Sequence, residues 1–217
     1  MNISNGVSKK IKIIIPVVIV LLILVVVGGF FWWQRGKIEN YFEQKETEKV
    51  FALAKDYKIY ETPEGKFIEN KKDGFRAKVP DEWRVEIGAN MLGYADDMKV
   101  ILGSSDFSYR PSRGCIIEML ISRVKKEREE FFLGVRSADE VKREIALIKE
   151  TKNHFSDEEV ILISGKESLK QISALNKGEH IIIETPSGEK VYLFDIIIFS
   201  EECKQTLNKF FETISIQ

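Results

Sequence analysis

The chain has 217 residues, is 44% hydrophobic and 31% charged, and carries a formal net charge of −1. A near-neutral balance argues against nucleic-acid binding, which draws its affinity mainly from lysine and arginine neutralising phosphates. Two cysteines and two histidines exclude a disulfide framework, a zinc site of paired cysteines and a histidine metal cage.

After a short basic start with Lys9, Lys10 and Lys12, no charge occurs from Ile13 to Trp33, a run of 21 residues rich in Ile, Val and Leu. At about 1.5 Å rise per residue such a run crosses a hydrocarbon core of about 30 Å. Ile13, Val20 and Leu24 are the apolar body of the predicted anchor, and Trp32 and Trp33 close it at the depth tryptophan prefers. Bulky aromatics at the end, where a cleavage site would carry small residues, favour an anchor over a cleaved signal peptide. Residues 1–12 are expected in the cytoplasm, 13–33 in the bilayer and the rest outside. A large C-terminal domain crosses regardless of its own charge. Gly28-Gly29 lacks the spacing of a helix-dimer motif.

The stretch 34–56 is charged and free of proline, and it reads as a solvated helical stalk. Its heptad is too broken for a coiled-coil stem. From Tyr57 to Gln217 the pattern becomes that of one soluble domain. Phe67-Ile68-Glu69 and the alternating Phe75, Ala77, Val79 predict strands around a turn at Asn70 to Gly74. Pro80 stops the second. Arg84 to Ile87 alternates again, Met98 to Leu102 reads as a strand, and Gly114 to Val124 is apolar on both faces, as a central strand would be. Ser137-Ala138-Asp139-Glu140 is a capping box, followed by the helical stripe Ala138, Val141, Ile145, Ile148. Strands are expected at Val160 to Ile163, Leu169 to Ala174, His180 to Thr185 and Lys190 to Phe199, the last two joined by a turn at Pro186-Ser187-Gly188-Glu189. Ser200 caps a final helix over Glu201 to Thr213. Strands without crossover helices predict an α+β domain, an antiparallel sheet flanked by helices and preceded by one transmembrane helix.

The segment GFRAKVPDEWRVE (Gly74 to Glu86) resembles the opening of PsbP-like domains, where a Gly-Phe strand runs into a Pro-x-x-Trp turn. MKVILGSSDF (Met98 to Phe107) is similar to the next strand and its end, and GEKVYLFDIIIF with CKQTLNKFFETISI resembles the family's last hairpin and helix. The resemblance covers roughly Phe67 to Ile216. It implies the fold shared by the extrinsic PsbP protein of photosystem II and a Ran-binding nuclear import factor. It also implies a non-catalytic binding or assembly module. The chain departs from the family in its stalk and in the charged stretch Lys125 to Arg136.

Two residues stand out as candidate binding positions. Asp195 interrupts the apolar run Val191 to Phe199, where a carboxylate either has a partner or meets an opening to solvent. Trp83 serves either as a ligand platform or as a plug at one end of the core. Asp96, Asp97 and Asp106 lack the loop pattern of a calcium site. Arg110-Pro111-Ser112-Arg113 and Lys125-Lys126-Glu127-Arg128 read as solvated basic loops. Cys115 and Cys203 sit on apolar stripes and are expected as unbridged, packed thiols. No catalytic, cofactor or metal constellation emerges. The expected partners are the lipid bilayer and a protein of the membrane or envelope. The rival class is an envelope enzyme with a carboxylate-based site. A pilus-type subunit would need a processing site that the sequence lacks.

Overall fold

The computed structural model describes residues 50–88, 98–124, 135–151 and 157–217. The expected anchor, with Ile13, Val20, Leu24, Trp32 and Trp33, and the stalk up to residue 49 lie outside them. So do Asp96, Asp97 and Lys125 to Arg128. Among the described residues, no helix is long and apolar enough to cross a membrane.

The architecture is α+β, built on antiparallel pairing. Seven strands form the larger sheet in the order β4-β5-β8-β12-β11-β10-β9. They are β4 (Arg84–Ile87), β5 (Val100–Gly103), β8 (Cys115–Ser122), β9 (Glu158–Ile163), β10 (Lys166–Leu175), β11 (Gly178–Ser187) and β12 (Lys190–Ile198). A second sheet, which the sequence does not separate from the first, has the order β1-β2-β3-β13. Its strands are β1 (Lys58–Thr62), β2 (Gly65–Asn70), β3 (Phe75–Lys78) and β13 (Ser215–Ile216). A two-stranded ribbon, β6 (Ser108–Tyr109) and β7 (Ser112–Arg113), links β5 to β8, with a cis peptide before Pro111. The helices are α1 (Ala138–Thr151) and α2 (Glu201–Thr213).

Neighbouring side chains of a strand point to opposite faces, and β12 shows what each face meets. Tyr192, Phe194, Ile196 and Ile198 enter the main core with Phe75 and Ala77 of the small sheet and Leu207 and Phe210 of α2. On the other face Val191 joins Leu169 and the α1 stripe Ala138, Val141, Ile145, Ile148. The large sheet is thus covered on one side by the small sheet and α2, and on part of the other by α1. All eight residues of β8 are buried, as expected for a central strand. Ser137 and Glu140 close the expected capping box, with Ser137 N and Oγ each 2.7 Å from Glu140 Oε2. Ser200 Oγ accepts from Cys203 N at 3.3 Å and caps α2. The β11–β12 turn is tighter than expected. Ser187 pairs with Lys190, so Pro186 lies within the strand and only Gly188-Glu189 turns.

The expectation of free thiols is overturned. Cys115 and Cys203 form a disulfide with Cα atoms 5.8 Å apart. The cause is register: Ile198 pairs with Cys115, so the end of β12 lies beside the start of β8. The first turn of α2 begins three residues later and sets Cys203 over Cys115. The packed body also begins before the expected edge at Tyr57. Phe51, Ala52 and Leu53 are at most 2% exposed, and Phe51 bridges to Ser122 of β8.

Two outcomes follow from these contacts. Reducing the disulfide opens a loop spanning 88 residues, which lowers stability by about 4–5 kcal/mol. Urea unfolding with and without reductant measures it, and coincident curves would refute a native bridge. A fragment starting at Tyr57 loses three buried side chains and unfolds at lower urea than one starting at Glu48. Equal midpoints would restore the later edge.

Candidate functional site

Three polar assemblies are built on this frame. The most buried lies under the turn between β2 and β3. Asp73 is 1% exposed. Its carboxylate accepts from Arg123 Nε at 3.0 Å and from Arg123 Nη2 at 2.6 Å. Lys190 Nζ stands 3.3 Å from Oδ1. The Asp73 carbonyl accepts from the Tyr192 hydroxyl and from Lys190 Nζ, and its N–H donates to Asn70 Oδ1 at 3.1 Å. Arg123 Nη1 also donates to the Phe51 carbonyl at 2.8 Å. Burial, with help from the Asp73 charge, pushes the Tyr192 phenol up to about 12 and raises the Tyr57 phenol as well. The Arg123, Lys190 and Tyr192 donors are all directed at protein atoms, so the assembly joins the small sheet to the large one.

The second assembly contains Asp195. Its side chain is 35% exposed, where the face of the large sheet opens beyond α1. It has the partner a half-buried carboxylate calls for: His180 Nε2 on β11 is 2.6 Å from Asp195 Oδ1. On its other side Asp195 pairs in register with Glu118 of β8, which is buried and held by Lys99 Nζ at 2.6 Å. Tyr109, at the tip of the β6–β7 ribbon, has its phenol raised by partial burial and then by the charges of Glu118 and Asp195. Two carboxylates side by side would repel, and the Lys99 cation on the Glu118 flank offsets that. Ser173 Oγ lies 3.4 Å from His180 Nδ1, completing a Ser–His–Asp line, and stands equally far from the His180 carbonyl. A base that activates a serine sits within about 2.6–3.2 Å. This serine is exposed on the pleated face, and its geometry is that of a surface contact.

Trp83 marks the third assembly. It is 6% exposed and belongs to the main core, so it is chiefly a plug. One side of it nonetheless lines a cleft of about 560 Å³ between the β3–β4 turn, the Ser104–Asp106 turn and α2. The Ser104–Asp106 turn is fixed from below: Ser104 Oγ accepts from Cys115 N at 3.0 Å. Gly114, at φ 65°, passes so close that a Cβ there would lie 2.2 Å from Ser104 Oγ. Arg110 to Arg113 form the exposed tip of the ribbon, apart from the cleft lining.

The structure is similar to the solution structure of cyanobacterial PsbP from Synechocystis sp. PCC 6803. The match has 13% identity and a TM-score of 0.36, and covers 75% of this chain and 93% of that one. At this identity and score the likeness extends to no shared ligand or activity. No protein-family model matches the chain, and no curated protein matches it.

Elsewhere, burial raises the Glu184 carboxyl, which Arg136 opposes by donating to it. Among the described residues, no group of three or more His, Cys, Asp or Glu is placed to hold a metal.

Removing the guanidinium in Arg123→Ala leaves the buried Asp73 carboxylate with Lys190 as its one cation and costs up to about 3–5 kcal/mol. A thermal unfolding midpoint within a degree of the native one would remove the network's structural role. Glu140 gives a pH test. Hydrogen bonds from Ser137 hold its carboxyl below the ordinary value, so its stabilisation is present above the unfolded pKa and lost as pH falls through the folded one. Glu140→Gln is therefore less stable than the native chain at pH 7, and the gap closes in acid. A gap independent of pH would contradict this.

Proposed function

We propose that the chain is a single-pass membrane protein whose C-terminal domain lies outside the cytoplasm and acts as a non-catalytic binding or assembly module. The observation that carries this is the Cys115–Cys203 disulfide in a domain that follows a charge-free run of 21 residues, 13–33. Disulfides persist in oxidising compartments and are uncommon in reducing ones, so the bridge and the direction of the anchor support one another. Support for a binding role comes from where the polar groups go. The Asp73 carboxylate is satisfied within the protein by Arg123 and Lys190, and the Ser173–His180–Asp195 line lacks the close serine–base contact of a nucleophile. The cleft beside Trp83 carries charged side chains without ion-pair partners among the described residues.

Intact cells expressing the full chain, treated with external protease and an impermeant thiol reagent, test the topology. The expected result is digestion of the C-terminal domain with no labelling of Cys115 or Cys203 until reductant is added. A domain protected from protease and carrying free thiols once the cells are lysed would overturn the reading. Cross-linking in the same membranes tests the role, with recovery of a discrete, stoichiometric protein expected.

A further inference from the structure

The large sheet ends on β9, which pairs with β10 on one side and with no other strand among the described residues. The direction of its backbone groups follows from one bond. The Ile172 N–H donates to the Asp157 carbonyl at 2.8 Å, and the register continues through Glu159, Ile161 and Ile163 against Lys170, Ser168 and Lys166. In an antiparallel pair the residues that exchange bonds alternate along the strand. The N–H and C=O groups of Glu158, Val160 and Leu162 therefore point away from the sheet.

An outer row of backbone groups is a template for another strand, and proteins guard such edges with proline, charge or shortness. The opposite edge, β4, has four residues and carries Arg84 and Glu86, and β1, an edge of the small sheet, carries Lys58 and Glu61. By contrast β9 has six residues, and its Val160-Ile161-Leu162-Ile163 contains neither proline nor charge. Leu162 is 69% exposed, more than any other large apolar side chain among the described residues. The strand has apolar support on both faces, since Val160 packs against the α1 stripe and Ile161 against the main core. Its charges are gathered at its start, where Glu158 accepts from Gln171 and Glu159 from Lys170, both on the inner neighbour β10.

We infer that the outer edge of β9 takes an extended segment of a protein partner as a further antiparallel strand, with apolar residues opposite Val160 to Ile163 and basic residues opposite Glu158 and Glu159. The inference rests on the binding-module reading and specifies its surface and the partner's chemistry. Main-chain bonds to an edge supply affinity, and the side chains beside it supply selectivity. Charge decides against a second copy of this chain. Two β9 strands pairing antiparallel about Val160 would set Glu158 against Leu162 and Glu159 against Ile161, and pairing about Ile161 would set Glu159 against Ile163. A carboxylate opposite lysine or arginine is attracted across the strands, and one opposite an apolar residue is not.

The full chain in neutral phosphatidylcholine nanodiscs tests this with four labelled, blocked hexapeptides read by fluorescence anisotropy. The probe is Thr-Val-Thr-Val-Arg-Arg. Two further copies carry N-methyl groups at alternate backbone positions, one copy in each phase, and the fourth peptide has glutamate in place of both arginines. The probe should bind at least tenfold more tightly than the glutamate peptide and than one N-methyl peptide. The other N-methyl peptide, with its methyl groups turned away from β9, should bind as the probe does. Leu162→Pro removes an N–H that the sheet does not use and should abolish the preference. Leu162→Lys, which adds a guarding charge at an exposed position, should weaken the probe similarly. Equal binding of the four peptides, equal binding of the two N-methyl peptides, or variants that bind as the native chain does overturns the inference. Cross-linking of the native chain to itself in membranes, abolished by Leu162→Pro, also overturns it, since a second copy then holds the edge. Cross-linking to other proteins separates the two levels. A partner recovered equally by native and variant chains leaves the binding-module reading standing and removes the β9 site. A native chain that recovers no partner removes both.

Discussion

The small sheet depends on one buried ion pair, Asp73 with Arg123. The β2–β3 turn is short and would otherwise be an exposed hairpin tip. Instead Asp73 is drawn beneath β12 and β8, where Arg123, Lys190 and Tyr192 converge on it. Both ends of the domain attach near the same place. Arg123 holds the Phe51 carbonyl, and the Gly74 carbonyl accepts from Gln217 N at 3.0 Å. Gly74 has φ 72° and lies against Gln217, so the turn needs a glycine to bring the C-terminus in. A buried charge with a single weak partner would destabilise the fold. With a bidentate guanidinium and a second cation, its desolvation is offset and its position is fixed.

The disulfide performs the corresponding task at the other end of the large sheet. It ties the first turn of α2 to β8, and α2 is one wall of the cleft beside Trp83. Ser104, locked to Cys115, holds the turn that closes that end. The α2 wall of the cleft and the Ser104–Asp106 turn are thus carried on backbone fixed by covalent and hydrogen bonds.

Elements with a strong local signature were legible in the sequence. The α2 helix occupies Glu201–Thr213 with Ser200 as its cap, and α1 begins at its capping box, because both signals are confined to a few adjacent residues. The strands β1 and β13 and the ribbon β6–β7 were not anticipated. Each is short, and each exists through pairing with chain its own residues do not reveal. The same holds for the disulfide, which requires knowing that β8 lies beside β12, and for Asp73, whose cationic partners are 50 or more residues away. The His180–Asp195 pair was closer to reach. A hairpin turn after Pro186 puts both side chains on one face of adjoining strands, so the partner of Asp195 was implied by the register of β11 and β12. The cleft was beyond reach, since Trp83, Asp106 and Glu202 come together only in the folded domain.

Native-state hydrogen exchange measures the dependence of the small sheet on Asp73 most directly. Ile68 on the inner strand β2 reports on the small sheet, and Ile117 and Phe194 report on the large one. The account predicts that these amides exchange through one global opening of the same free energy, and that Arg123→Ala lets Ile68 exchange ahead of the other two. A small sheet that already opens well before the large one in the native chain, or that is unmoved by the substitution, would contradict it.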